Sequence, residues 1–523
     1  MNSENNPRAV GWSHWAILAA LVGIGAGLRF HQITKVGLWP DEFWSSVHMA
    51  TGRGTTLFDL PMGVLFNPPP PTLFENAPSW WHIWTGLRGI IHPPVYLILL
   101  RWWIDAFGSS DFSTRAFSAA ASLAGVVVLF DIMRRTVGPA SGLIAAALMA
   151  VSPLQINLSQ ESRPYPLLAL LALLACHAIF RIERQGASPA RLFQLGLFAA
   201  ATALTHYFSL GALLAIACYA FLRLRGPDRR KTIAALCASA IVVLIAWGPF
   251  FWQQRQQWSS QAWSSEVGGN AFMPWIRAAA VPSALLYGRV ENVLNCIAPA
   301  VIAYLLPIFM FRRYPQILLW WLWIVGIVGS LMIYDSLHHA RLLGIVKYFS
   351  LASVALYAIC AVPIPMLKSW RWAIPCLVLA GVAIAAVERI QEGPPDYNGD
   401  WRGLAVTLDR RAGPNDALIF YPNPSWGSPG MYYLAFAHYA RSSHRPIMYL
   451  NAPADPAAQR QIEGFKKVWL VGPTMDSDLA NYLPGWVPVF SRGYPGSGSF
   501  TEMTPKNNSA TALPPSHPGI PPR

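Results

Sequence analysis

Charge is scarce in this chain. Of 523 residues 12% are charged, about half the share of an average soluble domain, while 54% are apolar and the mean hydropathy is +0.34. A soluble enzyme of this length needs a charged surface that these residues cannot supply, so that class is excluded. The apolar residues come in unbroken runs of roughly 18–22, the length that crosses ~30 Å of hydrocarbon as a helix, and the lack of alternation excludes an outer-membrane barrel. Acids are scarcer than bases: 39 Lys and Arg against 25 Asp and Glu leave a net charge of +14. Among many apolar runs such an excess reflects basic cytoplasmic loops, and no nucleic-acid partner is expected. The six cysteines (Cys176, Cys218, Cys237, Cys296, Cys360, Cys376) lie within or at the ends of apolar runs, and no CxxC occurs. A disulfide framework or thiolate metal site is therefore not expected. A glycine-rich nucleotide loop and an internal repeat are also lacking.

What is present is a ladder of eleven apolar spans, at about 12–32, 113–133, 139–157, 165–182, 191–206, 208–224, 232–251, 291–311, 316–334, 342–364 and 371–388. Basic residues follow every second span: Arg134-Arg135, Arg181 with Arg184, the group from Arg223 to Lys231, Arg312-Arg313, and Lys368 with Arg371. The positive-inside rule places these loops and the N-terminus in the cytoplasm, with 33–112, 158–164, 252–290, 335–341 and the C-terminal region outside. The run Pro94–Phe107 is too short to span, and Arg101 and Asp105 share a face at i, i+4. It reads as an amphipathic helix on the outer leaflet.

After residue 389 apolar runs shorten to strand length (417–421, 446–450, 467–471, 487–490) and alternate with helix-like stretches at 430–441, 456–464 and 476–483. The expected organisation is an α-helical polytopic membrane domain over 1–388, with a first exterior loop at 33–112 and a second at 252–290. A small exterior α/β domain over 389–503 and a disordered tail over 504–523 follow.

Four ionisable groupings fall on the exterior boundary: Asp41-Glu42 in GLWPDE, His92 in HPP, Glu161 and Arg163 in SQESRPY, and Lys347-Tyr348 near the outer end of the tenth span. Taken singly, each has a plain structural reading: a helix N-cap, a stiff turn, a weakly paired loop, a snorkelling lysine. The topology was assigned from other residues, yet it puts all four on one face. Carboxylates, a His and cations together suit a polar reaction on a lipid-linked substrate. One carboxylate can deprotonate an acceptor hydroxyl, others can hold a divalent cation, and Lys or Arg can neutralise a phosphate leaving group.

The ordered motifs GLWPDE, IHPPVYLILL, FGSSDFSTRAFSAAASLAGVVVLFDIMRR and SPLQINLSQESRPYPLLAL resemble those of bacterial protein-mannosyltransferase-like enzymes. These belong to the glycosyltransferase-C superfamily, with the lipid A aminoarabinose transferase and the oligosaccharyltransferases as relatives. The resemblance covers residues 12–210 well, and Lys347-Tyr348 and Asp400-Trp401-Arg402 more loosely. It implies a bundle of about eleven to thirteen helices, a polyprenyl-phosphate sugar donor and an active site on the outer face of the inner (plasma) membrane. Carried onto this chain, it makes Asp41 the candidate base, Glu42 its partner and Glu161 the acid of the second loop, with His92 and Tyr165 lining the site. Lys347 stands where the pattern usually has Arg before Tyr; with Tyr348, Arg163 and Arg341 it is the candidate holder of the donor phosphate. If a divalent metal (Mg, Mn or Zn) takes part, Asp41 and Glu161 are its candidate ligands; no other cofactor is expected.

The expected activity is thus an inverting sugar transfer from a polyprenyl monophosphate to a hydroxyl of a lipid, glycan or protein acceptor. A secondary transporter or flippase is the alternative, but it calls for inverted repeats and ionisable residues through the membrane depth. A polymerase consuming lipid-linked oligosaccharides is the other.

Overall fold

The computed structural model describes residues 11–55, 60–68, 70–87, 90–258, 272–288, 294–367, 373–392, 399–421, 429–440, 445–473 and 479–506. In chain order the first elements are α1 (Trp12–Phe30), α2 (Pro40–Glu42), α3 (His82–Gly86), α4 (Val95–Phe107), α5 (Asp111–Thr136), α6 (Pro139–Val151), α7 (Pro153–Ser159) and α8 (Tyr165–Gln185). Then come α9 (Pro189–Ala203), α10 (Leu210–Arg223), α11 (Gly226–Trp258), α12 (Met273–Tyr287), α13 (Leu294–Ala300), α14 (Leu306–Met310), α15 (Ile317–His338), α16 (Val346–Phe349), α17 (Ala352–Ala361) and α18 (Ala373–Glu392). The remainder holds α19 (Trp401–Arg411), β1 (Ala417–Phe420), α20 (Gly430–Tyr439), β2 (Ile447–Tyr449), α21 (Pro456–Ile462), β3 (Val468–Gly472), α22 (Leu479–Tyr482), β4 (Trp486–Tyr494) and β5 (Gly498–Pro505). Two compact units result: Met1–Ile33 with Leu87–Gly393, and Thr34–Gly86 with Pro394–Arg523.

The first unit is helical, and the chain is a multi-pass membrane protein. Among the described residues five helices are long and apolar enough to cross a membrane: Trp12–Phe30, Asp111–Thr136, Tyr165–Gln185, Gly226–Arg255 and Ile317–His338. The pair α6 and α7, bent by 57° where Pro153 cannot continue the helix, makes a sixth. Among the described residues each of the eleven expected spans coincides with a helix or a broken helix, not all of them long enough to cross, and the stretch expected as the second exterior loop holds a further helix, α12, with Val281, Ala284 and Leu285 buried. Helix α9 has 15 residues, about 22 Å of rise. The span expected at 291–311 is a helix of only 16 residues, Asn295–Met310, with a π-helical stretch at Val301–Leu305, and that at 342–364 is split into α16 and α17. Helices α10 and α15 approach so closely that a Cβ on Gly211 would lie 2.6 Å from the Gly326 carbonyl, a small-residue contact of the kind that joins membrane helices. Helix α4 forms at the expected place, with Arg101 Nε 2.8 Å from Asp105 Oδ1 and Trp102 exposed.

The second unit is built on a five-stranded sheet of order β2-β1-β3-β5-β4. Strand β1 runs parallel to β2 and β3, with Leu418 opposite Ile447 and Trp469; β5 is antiparallel to β3 and β4. Two features differ from expectation. Strand β5 includes Thr504 and Pro505, which had been assigned to a disordered tail; Phe500 and Met503 are fully buried and supply the apolar face that holds it. Residues 34–86, expected as a loop of the membrane domain, are grouped with the sheet. The chain around Gly63–Phe66 runs along the edge strand β2, Phe66 and Ile447 exchanging N–H···O bonds of 3.0 and 2.8 Å, which covers an otherwise unpaired edge. Lys368 and Arg371, the middle of the 252–290 loop and the tail beyond 506 lie outside the described residues.

Candidate functional site

The candidate residues fall into two groups, one in each unit. In the sheet unit Asp41 and Glu42 sit on the single turn α2, opened by Pro40 at its first position, where the missing N–H costs nothing. Glu42 is fully buried and its Oε2 accepts the Trp39 N–H at 3.2 Å, the return half of a capping box. Asp41 is half-buried, and its carbonyl accepts the Ser45 hydroxyl at 2.6 Å. The chain entering α2 is gripped from α19 and α20. Leu38 N–H donates to the Tyr439 hydroxyl at 2.6 Å, and the Arg402 guanidinium donates to the carbonyls of Thr34 (3.1 Å) and Val36 (3.4 Å). Gly37 passes so close that a Cβ there would meet Arg402 and Tyr439 at 2.8 Å. Asp400 caps α19 through the Gly403 N–H at 2.8 Å, and Trp401 packs edge-on against Phe43. The Asp400-Trp401-Arg402 motif therefore braces the segment that carries the acid pair.

In the helical unit the other candidates converge from three separate stretches. Pro93 and Pro94 lead into α4, and the Val95 N–H, orphaned at the helix start, donates to the Leu204 carbonyl at 2.9 Å beyond α9. This tie brings the His92 ring beside His206, with centroids 5.7 Å apart. His206 stacks in turn near Tyr165 (5.4 Å) and Phe208 (4.9 Å), and Phe208 meets Tyr348 at 4.6 Å. Arg163 is buried, its guanidinium 6.0 Å from the Tyr165 ring, and its carbonyl accepts the Ser118 hydroxyl at 3.1 Å. Lys347 and Tyr348 occupy the one-turn α16, half-buried, and Glu161 is half-buried in the loop before Arg163. Arg341 is exposed in the turn after α15; that turn is held by buried Asp335, whose two carboxylate oxygens accept the Leu342 and Leu343 N–H groups at 2.9 Å each.

His206, in the turn between α9 and α10, is the member that the sequence did not single out; the signal is a His among aromatics (THYFS) between two apolar runs. Its Nδ1 accepts the Phe208 N–H at 3.2 Å, which leaves the proton on Nε2. The Tyr165 hydroxyl is buried with no hydrogen-bond partner among the described residues. The Arg163 guanidinium, the Tyr165 hydroxyl and the His206 imidazole thus lie together, groups able to receive an anionic oxygen.

Among the described residues no three His, Cys, Asp or Glu side chains come together. Glu42 accepts the Trp39 N–H, and no step is routed through a metal.

Comparison with known proteins agrees with the motif resemblance. Residues 91–252 match the family described as dolichyl-phosphate-mannose-protein mannosyltransferase. The chain is similar in structure to ArnT from Cupriavidus metallidurans bound to undecaprenyl phosphate, at 13% identity and a TM-score of 0.58, over 97% of this chain and 100% of that one. The apo state of the same protein aligns at 12% identity and a TM-score of 0.54, over 94% of this chain and 97% of that one. The Archaeoglobus fulgidus oligosaccharyltransferase matches more distantly, at 12% identity and a TM-score of 0.48, over 88% of this chain and 69% of that one. No curated protein matches the sequence. The fold is thus that of ArnT, and the reading of the chain as similar to protein-mannosyltransferase-like glycosyltransferases stands.

Proposed function

We propose that this protein transfers a sugar from a polyprenyl monophosphate to an acceptor hydroxyl on the exterior face of the membrane, with inversion at the anomeric carbon. The observation that carries the proposal is the gathering of Arg163, Tyr165 and His206, with Phe208 against the Tyr348 that follows Lys347, at helix ends that the basic loops assign to that face. The acceptor oxygen attacks the anomeric carbon as the bond from that carbon to the phosphate oxygen breaks. The electron pair leaves with the polyprenyl phosphate, and the acceptor proton passes to the Asp41 carboxylate. Arg163 and Lys347 offset the charge growing on the phosphate, and the neutral His206 N–H and Tyr165 O–H donate to its oxygens. The donor class accords with the undecaprenyl phosphate bound to the structurally similar ArnT.

The test is a reconstituted assay with a panel of undecaprenyl-phosphate sugars, paired with mass spectrometry of glycolipids and glycoproteins from a deletion strain. Consumption of a monophosphate donor, and loss of one glycan in the deletion strain, are expected. Turnover of diphosphate oligosaccharides alone would replace the proposal with a polymerase. Topology is tested separately: a reporter active only in the cytoplasm, fused at the C-terminus, is expected to be silent. A signal from it would put the candidate residues on the wrong face.

A further inference from the structure

The glutamine of SQESRPY has no part in the chemistry above, yet its side chain reaches the end of another helix. Helix α1 ends at Phe30 and leaves carbonyls that no later turn can satisfy; in hydrocarbon such groups must find a donor. The Gln160 Nε2 lies 3.3 Å from the Leu28 carbonyl, 3.2 Å from that of Arg29 and 2.9 Å from that of His31. Its backbone N–H meanwhile closes α7 on the Ile156 and Asn157 carbonyls, both at 3.1 Å. Arg29 returns the grip. Fully buried, it donates to the carbonyls of Ala150 (2.7 Å) and Met149 (3.0 Å), where α6 breaks before Pro153, to its own helix at Gly25 (3.1 Å), and to the Ser122 hydroxyl (3.0 Å). Each helix end is therefore capped by a side chain from the other element.

We propose that Gln160 is a positioning residue: with Arg29 it clasps α1 to the α6–α7 break and thereby fixes the loop Glu161–Arg163. The loop is tied at its far side by Ser162 to Tyr96 (3.3 Å) and by the Arg163 carbonyl to Ser118 (3.1 Å), so Gln160 supplies its near anchor. The activity arm of the test rests on the transfer proposed above.

Gln160→Met keeps the length of the side chain and removes both donors. Amide hydrogen exchange at residues 161–163 of the full chain in nanodiscs is expected to rise at least tenfold. The kcat with the undecaprenyl-phosphate sugar found to serve is expected to fall about tenfold at saturating donor, with the melting temperature held within a few degrees. Gln160→Asn, which retains an amide one methylene short, is expected to give an intermediate value in both readouts, so a Met variant that fails to fold does not end the test. Unchanged exchange and kcat overturn the proposal. Faster exchange with wild-type kcat overturns it too, since the clasp would then be scaffolding only. Lower kcat with unchanged exchange makes Gln160 a substrate contact instead. If the wild type transfers no sugar from any donor, the functional reading fails, and the exchange measurement alone still decides the clasp.

Discussion

Asp41→Asn is expected to lower turnover by about 10²–10⁴ while the protein remains folded and membrane-inserted. The two neighbouring acids are not equivalent. Glu42 is fully buried and accepts the Trp39 N–H, so its carboxylate serves the backbone of α2. Asp41 is the half-buried one and the better placed to exchange a proton with an incoming hydroxyl. Asparagine matches aspartate in size and retains an acceptor oxygen, but it cannot take up the proton. Glu42→Gln, by contrast, keeps an oxygen for the Trp39 N–H and should lose far less. Initial rates of the two purified variants, with melting temperatures as controls, decide the matter. Wild-type turnover in Asp41→Asn would remove the base from the mechanism.

The sequence was most legible where one physical rule dominates. Hydrocarbon forces every backbone group into a helix, so the apolar runs located most helices of the first unit, but α12 (Met273–Tyr287) lies in the stretch expected as the second exterior loop. Where helices break, the runs alone could not say so: 342–364 reads as one span although α16 and α17 are separate. In the second unit β1, β2 and β3 were visible as short buried runs, whereas β5 was hidden because its glycine- and serine-rich start looks like a linker. Its burial comes from pairing with β3 on one side and β4 on the other. The same limit explains the candidate site. Motif order named His92, Arg163, Tyr165 and Lys347, but His206 lacks a charged neighbour in sequence. It becomes informative only when Val95 is tied to Leu204 and the turn is folded against Tyr165. The role of Asp400-Trp401-Arg402 was equally invisible, since it acts on Thr34 and Val36 across more than 360 residues of chain.

Lys347→Ala is expected to slow transfer roughly 10²-fold, the loss typical when one stabilising group is taken from a developing anion. Lys347 adjoins Tyr348, whose ring meets Phe208, and Arg163 lies beside Tyr165, whose ring meets His206. Two like charges in a largely buried site repel, and a phosphate between them converts that repulsion into attraction for each. The gain should grow as negative charge accumulates on the leaving oxygen, so the loss appears mainly in kcat. Lys347→Arg should retain most of the rate, because guanidinium supplies the same charge with a fork suited to two phosphate oxygens. Lys347→Gln should fall with Ala, since it can donate a hydrogen bond but carries no charge. A lysine that only snorkels to the interface predicts a different pattern, in which all three variants transfer sugar at one rate across donor concentrations. Rate curves against the polyprenyl-phosphate donor separate the two cases. Superimposed curves would shift the phosphate role to Arg163, which is buried beside Tyr165 and His206 whatever Lys347 does.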